Sequence, residues 1–288
     1  MNGMAAGEAV VRAERLTKVY TDFWGRAKVR AVDGLDLRVE PGEVLGLLGP
    51  NGSGKTTTIK LILGLLWPTA GEISVLGAPP GDVAAKARIG FLPEESYLYR
   101  FLSADETLDF VGCLFDLPRD VRRKRAEELI EQVGLSAARH RPLREYSKGM
   151  SRRVGIAQAL MNDPDLVVLD EPTTGLDPVG TREMKDLILK LKGDGKTVLL
   201  SSHLLADVED VCDRIAILHY GKVRCAGPVR ELLSAQEMTQ FVAGGLSAED
   251  ADEIEKIMRE KADDVQISKP RERLEALFLR VIGQDRKE

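Results

Sequence analysis

Short runs of Val, Ile and Leu punctuate the chain at 9–16, 44–48, 73–76, 89–92, 166–169, 198–201 and 214–218. Several are continuous rather than alternating, which predicts strands covered on both faces. Between them the apolar spacing lengthens to the helical period, just after residue 57 and over 122–133, 153–162, 180–191 and 205–211. Strands alternating with helices of that length predict an α/β fold with a mainly parallel sheet. From 96 to 162 the strand pattern disappears and helices dominate, which marks an inserted helical subdomain. Beyond Leu233 come charged helical stretches, an expected flexible joint at Gly244-Gly245, one expected strand over 264–268 and an amphipathic helix over 274–281. The expected organisation is a core over 9–233, with the helical subdomain at about 96–162 of it, and a small C-terminal accessory region over 234–288.

One polar insert in this pattern carries chemistry. Gly49-Pro50-Asn51-Gly52-Ser53-Gly54-Lys55-Thr56-Thr57 lies between the run 44–48 and a helical run. It fits G-x-x-x-x-G-K-[ST], the phosphate loop of P-loop enzymes, in the strand-to-helix context that loop requires. Glycines at 49, 52 and 54 let the backbone bend sharply and turn its amides toward anionic oxygens. The helix that follows adds unpaired amides and the positive end of its dipole. Lys55 supplies a full charge for the terminal phosphates, and the Thr56 hydroxyl supplies a magnesium ligand. The core is therefore expected to be a P-loop NTPase.

Two further apolar runs end in reactive side chains. The run 166–169 stops at Asp170-Glu171-Pro172. In P-loop ATPases such a strand is expected beside the phosphate loop, so Asp170 becomes the candidate magnesium ligand, through water. Glu171, one residue on, becomes the candidate base that orients and deprotonates the attacking water. The run 198–201 leads through Ser202 to His203. Strand ends of a parallel sheet are where such folds bind ligands, so His203 is expected at the γ-phosphate, helping to align the water and Glu171.

Composition narrows the partners. The 288 residues, 43% of them hydrophobic, can bury a substantial core. Asp plus Glu outnumber Lys plus Arg by 46 to 41, for a net charge of −5. That balance argues against nucleic acid, whose affinity comes mostly from cationic contacts to phosphates. Cys113, Cys212 and Cys225 show no metal-ligand spacing and no disulfide framework, so a reducing cytosol is the expected setting. No apolar stretch approaches the ~20 residues of a membrane-spanning helix, and the N-terminal stretch lacks a secretory pattern.

Taken together, these motifs resemble the nucleotide-binding subunit of ATP-binding cassette transporters. The discriminating piece is Tyr146-Ser147-Lys148-Gly149-Met150, ahead of the helical run 153–162, in the place of the family signature L-S-G-G-Q. The resemblance covers roughly 11–233. It implies an ATPase, using ATP and Mg2+, that pairs head to tail with a second cassette and drives a separate transmembrane permease from the cytoplasmic face of the membrane, with an exporter flavour. Ser147 and the Gly149 amide would then contact the γ-phosphate held by the partner cassette. Asp177, in Gly175-Leu176-Asp177-Pro178, would communicate across that interface, and Tyr20 would stack on adenine, with Phe23 or Trp24 as competitors.

Two departures from the family pattern mark a subtype. The family usually carries Gln where this chain has Glu94, in Pro93-Glu94-Glu95; Glu94 can still reach magnesium or water. Lys148 replaces a signature glycine and Met150 the glutamine; Lys148 either adds a positive charge near the trapped phosphates or points to solvent. The rival reading is a soluble cassette ATPase acting on nucleic acid or ribosomes. Repair types split the cassette with a long coiled coil, and only about a hundred residues separate Lys55 from Ser147, too few for one.

Overall fold

The computed structural model describes residues 8–24, 26–95, 98–233 and 247–260. In chain order the elements are β1 (Val11–Thr21), β2 (Ala27–Val39), β3 (Val44–Leu48), α1 (Lys55–Ile62), β4 (Ala70–Val75), α2 (Val83–Lys86), β5 (Ile89–Leu92), α3 (Ala104–Leu114) and α4 (Arg119–Gln132). There follow α5 (Lys148–Ala159), β6 (Leu166–Asp170), α6 (Pro178–Gly193), β7 (Thr197–Ser202), α7 (Leu205–Glu209), β8 (Arg214–His219), β9 (Lys222–Pro228), α8 (Val229–Leu233) and α9 (Ala248–Arg259). The chain divides into two compact units, Met1–Leu232 and Leu233–Glu288. In the second, the described helix α9 begins at Ser247, whose side chain accepts from the Asp250 amide. The expected joint at Gly244-Gly245, strand over 264–268 and helix over 274–281 lie outside the described residues.

Six strands form the main sheet, in the order β5-β6-β7-β3-β8-β9, parallel except for the antiparallel edge pair β8–β9. Its side chains alternate between two separate apolar cores. Val44, Val167, Leu169, Val198 and Leu200 enter one core, shared with α3, α4, α5 and α6. Leu45, Leu47, Leu166, Val168 and Leu199 enter the other, shared with α1 and a second sheet. Both faces are therefore dry, which is why these strands read as uninterrupted apolar runs.

The second sheet is antiparallel, in the order β2-β1-β4. It takes the runs at 9–16 and 73–76, which belong to this smaller layer and not to the parallel sheet. It also contains β2, for which the sequence reading assigned no strand. Leu35, Leu37 and Val39 are buried there while Asp36 and Arg38 between them are exposed. That is the period-2 signature of a half-wet strand, and a search for continuous apolar runs passes over it. Edge strand β9 escaped for the same reason, with its alternation of exposed and half-buried positions.

Over the described residues from 98 to 162 there is no strand. Helices α3, α4 and α5 pack there through Leu108, Val111, Ala126, Leu129, Ile130 and Val154. Helix α3 starts at a capping box: the Ser103 side chain accepts from the Glu106 amide while the Glu106 carboxylate accepts from the Ser103 amide. Helix α5 begins at Lys148, five residues before the expected 153, so the signature residues form its first turn. The end of α5 lies tight against β5. A Cβ at Gly90 would come within 2.1 Å of the Ala159 carbonyl oxygen. Backbone cannot yield as a side chain can, so Gly90→Ala is expected to cost about 2–3 kcal/mol, read as a lowered urea midpoint. A midpoint equal to the wild type would mean that β5 and α5 are not in this contact.

Candidate functional site: a nucleotide phosphate cradle

Strand β3 ends at Leu48 and the chain turns at once through the phosphate loop into α1. Gly49 and Gly54 have φ of +151° and +110°, a region that L side chains rarely adopt. Space forbids a side chain there too: a Cβ at Gly49 would lie 2.3 Å from the Leu218 carbonyl, and one at Gly54 2.5 Å from that of Ala31. The N-cap of α1 makes no side-chain hydrogen bond, and its first turn holds no acidic residue. The opening amides of that helix thus have no protein acceptor of the usual kind, which suits an anion. The Ser53 hydroxyl is buried in the same loop without a hydrogen-bond partner. A glycine cradle, uncapped helix amides and an orphan hydroxyl together fit phosphate oxygens.

Lys55 is held inside this cradle, at 6% side-chain exposure. Its ammonium donates to the Gly49 carbonyl at 2.7 Å and stands 3.4 Å from Glu171 Oε1. Glu171, equally buried, also accepts from Thr174 Oγ1 at 3.1 Å, and its Oε2 lies 2.8 Å from His203 Nδ1. The structure therefore brings three sequence-predicted residues, Lys55, Glu171 and His203, into one cluster. Its backbone is strained at the centre: Glu171 has φ +49°, unusual for any residue but glycine.

The strand ending in Asp170 is not the immediate neighbour of β3, the strand that leads into the phosphate loop. β7 lies between β6 and β3. Ser201, at the end of β7, bridges the gap. Its hydroxyl donates to Asp170 Oδ1 at 2.6 Å and accepts from the Glu171 amide at 2.9 Å. The sequence pattern placed Ser201 in a polar strand tip but gave it no role, because the strand order that makes it a bridge is a tertiary fact. Arg152 was passed over as well; it reads as one of a solvated arginine pair, yet it is buried behind Asp170 and Glu171.

The remaining candidates fall elsewhere. Thr56 follows Lys55 on α1 and is exposed. Ser147 caps α5, its Oγ accepting from the Met150 amide at 3.2 Å, and Ser147 and Lys148 are exposed. Lys148 leans across Gly175, where a Cβ would meet its ammonium at 2.0 Å. Asp177 caps α6, accepting from the Gly180 amide at 2.7 Å. Ser147, Lys148 and the 175–177 turn thus make a second cluster, apart from the contacts of the first, while Thr56 stays with Lys55. Tyr20 sits near the end of β1 with the Lys18 ammonium 5.7 Å from its ring centroid, while Phe23 and Trp24 stand exposed, edge to face. The Glu94 side chain is exposed. Among the described residues no three His, Cys, Asp or Glu side chains converge as a metal cage. The Thr56 hydroxyl and the Asp170 carboxylate are oxygen donors of the kind magnesium takes, one or two from the protein with phosphate and water completing its shell.

Removing the Ser201 hydroxyl would leave the Glu171 amide buried without an acceptor. Ser201→Ala is therefore expected to cost about 1–3 kcal/mol of stability and to lower the turnover number, checked by urea denaturation alongside phosphate release. Unchanged values for both would remove Ser201 from the site.

A buried lysine in a glycine cradle, with a carboxylate tip facing it across a parallel sheet, defines the class of P-loop nucleotide hydrolases. Comparison with known proteins narrows it. A family model described as ABC transporter matches residues 32–174. An uncharacterized ABC transporter ATP-binding protein of Nostoc sp. (strain PCC 7120) is 50% identical over 239 residues, covering 82% of this chain and 71% of its own. Nod factor export ATP-binding protein I of Cupriavidus metallidurans is 36% identical over 230 residues, 79% of this chain and 74% of its own. A solved dimeric ATP-binding cassette in a post-hydrolysis state, bound to ADP and Pi, superposes with a TM-score of 0.68 at 29% identity, over 76% of this chain and 99% of its own. The chain belongs to the ABC transporter family, as an ATP-binding subunit with the ATPase fold.

Proposed function

We propose that this subunit hydrolyses ATP at a site shared head to tail with a second cassette, and that the cycle drives a separate transmembrane permease in the direction of export. The observation that carries the reading is Glu171, buried between the Lys55 ammonium at 3.4 Å and His203 at 2.8 Å. Lys55 and the open amides at the start of α1 hold the β- and γ-phosphates. Glu171 accepts the proton of the water whose oxygen attacks the γ-phosphorus, and ADP leaves with the electron pair of the broken bond. His203 fixes the rotamer of that carboxylate and reaches the γ-phosphate. Thr56 and Asp170 would hold magnesium, and Glu94 would reach it or its water. Bound magnesium would neutralise charge on the β- and γ-oxygens.

The second cluster completes the site from the opposite side. Ser147 and the Gly149 amide, at the exposed start of α5, meet the γ-phosphate bound by the second cassette, where the helix dipole favours an anion. Lys148 and Met150 line the same face, and Asp177 relays the contact between the two cassettes. Tyr20 stacks on the adenine. A phosphate gripped by two surfaces holds them together, and its hydrolysis releases them.

Support for a permease comes from the helical subdomain. Tyr99, Phe101, Phe110 and Leu114 are exposed on it, Phe101 at 82%, and Tyr99 and Phe110 meet edge to face. Such an aromatic patch suits a protein partner. Among the described residues no helix is long and apolar enough to cross a membrane. In this reading the subunit works on the cytoplasmic face of the membrane, with residues 234–288 as an accessory region. Export is favoured by the relative named for Nod factor export.

The base assignment is tested by Glu171→Gln, which keeps the shape and loses the proton acceptor. Steady-state ATP turnover is expected to fall by about 10²–10⁴-fold, with ATP affinity, measured by equilibrium binding, essentially retained. Turnover near the wild-type rate would sink the assignment.

A further inference from the structure

Arg152 lies on the second turn of α5 and is only 5% exposed. Its guanidinium carries five N–H donors in a rigid fork, and backbone carbonyls take its bonds. Nη1 donates to Pro93 at 2.5 Å and Glu94 at 2.6 Å; Nη2 donates to Asp170 and Glu171, both at 2.6 Å; Nε donates to Pro172 at 3.3 Å. The carbonyls come from two separate chain segments, the exits of β5 and β6. Burial pulls the guanidinium below its ordinary basicity, opposed by the nearby charges of Asp170, Glu94 and Glu171.

An ordinary buried arginine meets a carboxylate. This one is spent wholly on main chain, at the two places where the proposed catalytic segment leaves the sheet. The strained Glu171 is fixed from both sides: its amide donates to Ser201 and its carbonyl accepts from Arg152. A left-handed non-glycine residue persists only where its surroundings over-determine it, and these two bonds do so. The same guanidinium binds the 93–94 segment to a helix whose first turn carries Ser147.

We infer that Arg152 is a positioning residue for hydrolysis, which holds the main chain of Glu171 in its strained conformation and locks it to the signature helix and to the 93–94 segment. Arg152 touches no phosphate; it acts through the carboxylate it places. The inference rests on the reading of Glu171 as the base.

The test uses the full chain with Arg152→Met and Arg152→Lys, measuring the turnover number and, separately, the equilibrium Kd for ATP. A displaced base slows the chemical step while the phosphate cradle, which Arg152 does not touch, still binds. The methionine variant is expected to lose about 10²-fold in turnover, with Kd within about twofold of wild type. The lysine variant keeps the charge but has only three N–H donors, and is expected at an intermediate rate. Turnover near wild type in both variants, or a Kd that loosens in step with turnover, would overturn the inference. Should the methionine variant fail to fold, the lysine variant decides by the same two measurements. The base reading is judged apart: if Glu171→Gln turns over normally that reading fails, whereas a dead Glu171→Gln beside unimpaired Arg152→Met and Arg152→Lys rejects only the role of Arg152.

Discussion

Leu48 lies opposite Ser202 in the ladder of β3 and β7, and Ser201 lies opposite Asp170 in the ladder of β7 and β6. Three adjacent parallel strands therefore end within a residue of one another along one edge. The cluster of Lys55, Glu171 and His203 hangs from that shared register. The phosphate loop leaves from the first strand, His203 from the second and Glu171 from the third. A slip of one residue would turn each strand over, exchanging the contents of its two dry cores. Register is thus enforced by burial on both faces, and the chemistry inherits its precision from packing that never touches a nucleotide.

At the strand tips the apolar interior gives way to a dense set of buried polar groups. Lys55, Arg152, Asp170, Glu171 and Ser201 are all nearly closed to solvent. At low local dielectric such groups are costly when unpaired and strongly coupled when paired. Here Lys55 faces Glu171, Ser201 joins Asp170 to the Glu171 amide, and Arg152 gathers the carbonyls behind them. The hydroxyl of Ser53, within the phosphate loop itself, has no partner, nor do Thr173 Oγ1 and Arg125 Nε. A buried hydroxyl left open inside the cradle suits a site that binds an anion.

How much of this the sequence discloses depends on the range of the interaction involved. The phosphate loop is local, and nine consecutive residues declare it. Strands β3, β6 and β7 are legible because burial on both faces erases alternation. β2 and β9 alternate, and their many charged positions conceal them. The start of α5 was hidden by Gly149 and Lys148, although Ser147 is itself a favoured N-cap residue and could have marked it. The placing of β7 between β6 and β3 leaves no trace in any single segment. Neither does the burial of Arg152, whose partners lie nearly sixty residues away at Pro93 and about twenty away at Pro172.

In the proposed function two surfaces of the cassette meet phosphate, the cradle around Lys55 and the exposed start of α5, and each must serve its counterpart in a second cassette. Mixing two individually crippled forms of the chain measures this most directly. Lys55→Ala destroys the cradle and spares the signature; Ser147→Arg does the reverse. In a head-to-tail pair of one with the other, a single composite site retains both intact halves. The account predicts that the mixture hydrolyses ATP well above the sum of the two variants assayed alone. A mixture no more active than that sum, from variants that still pair, would contradict it.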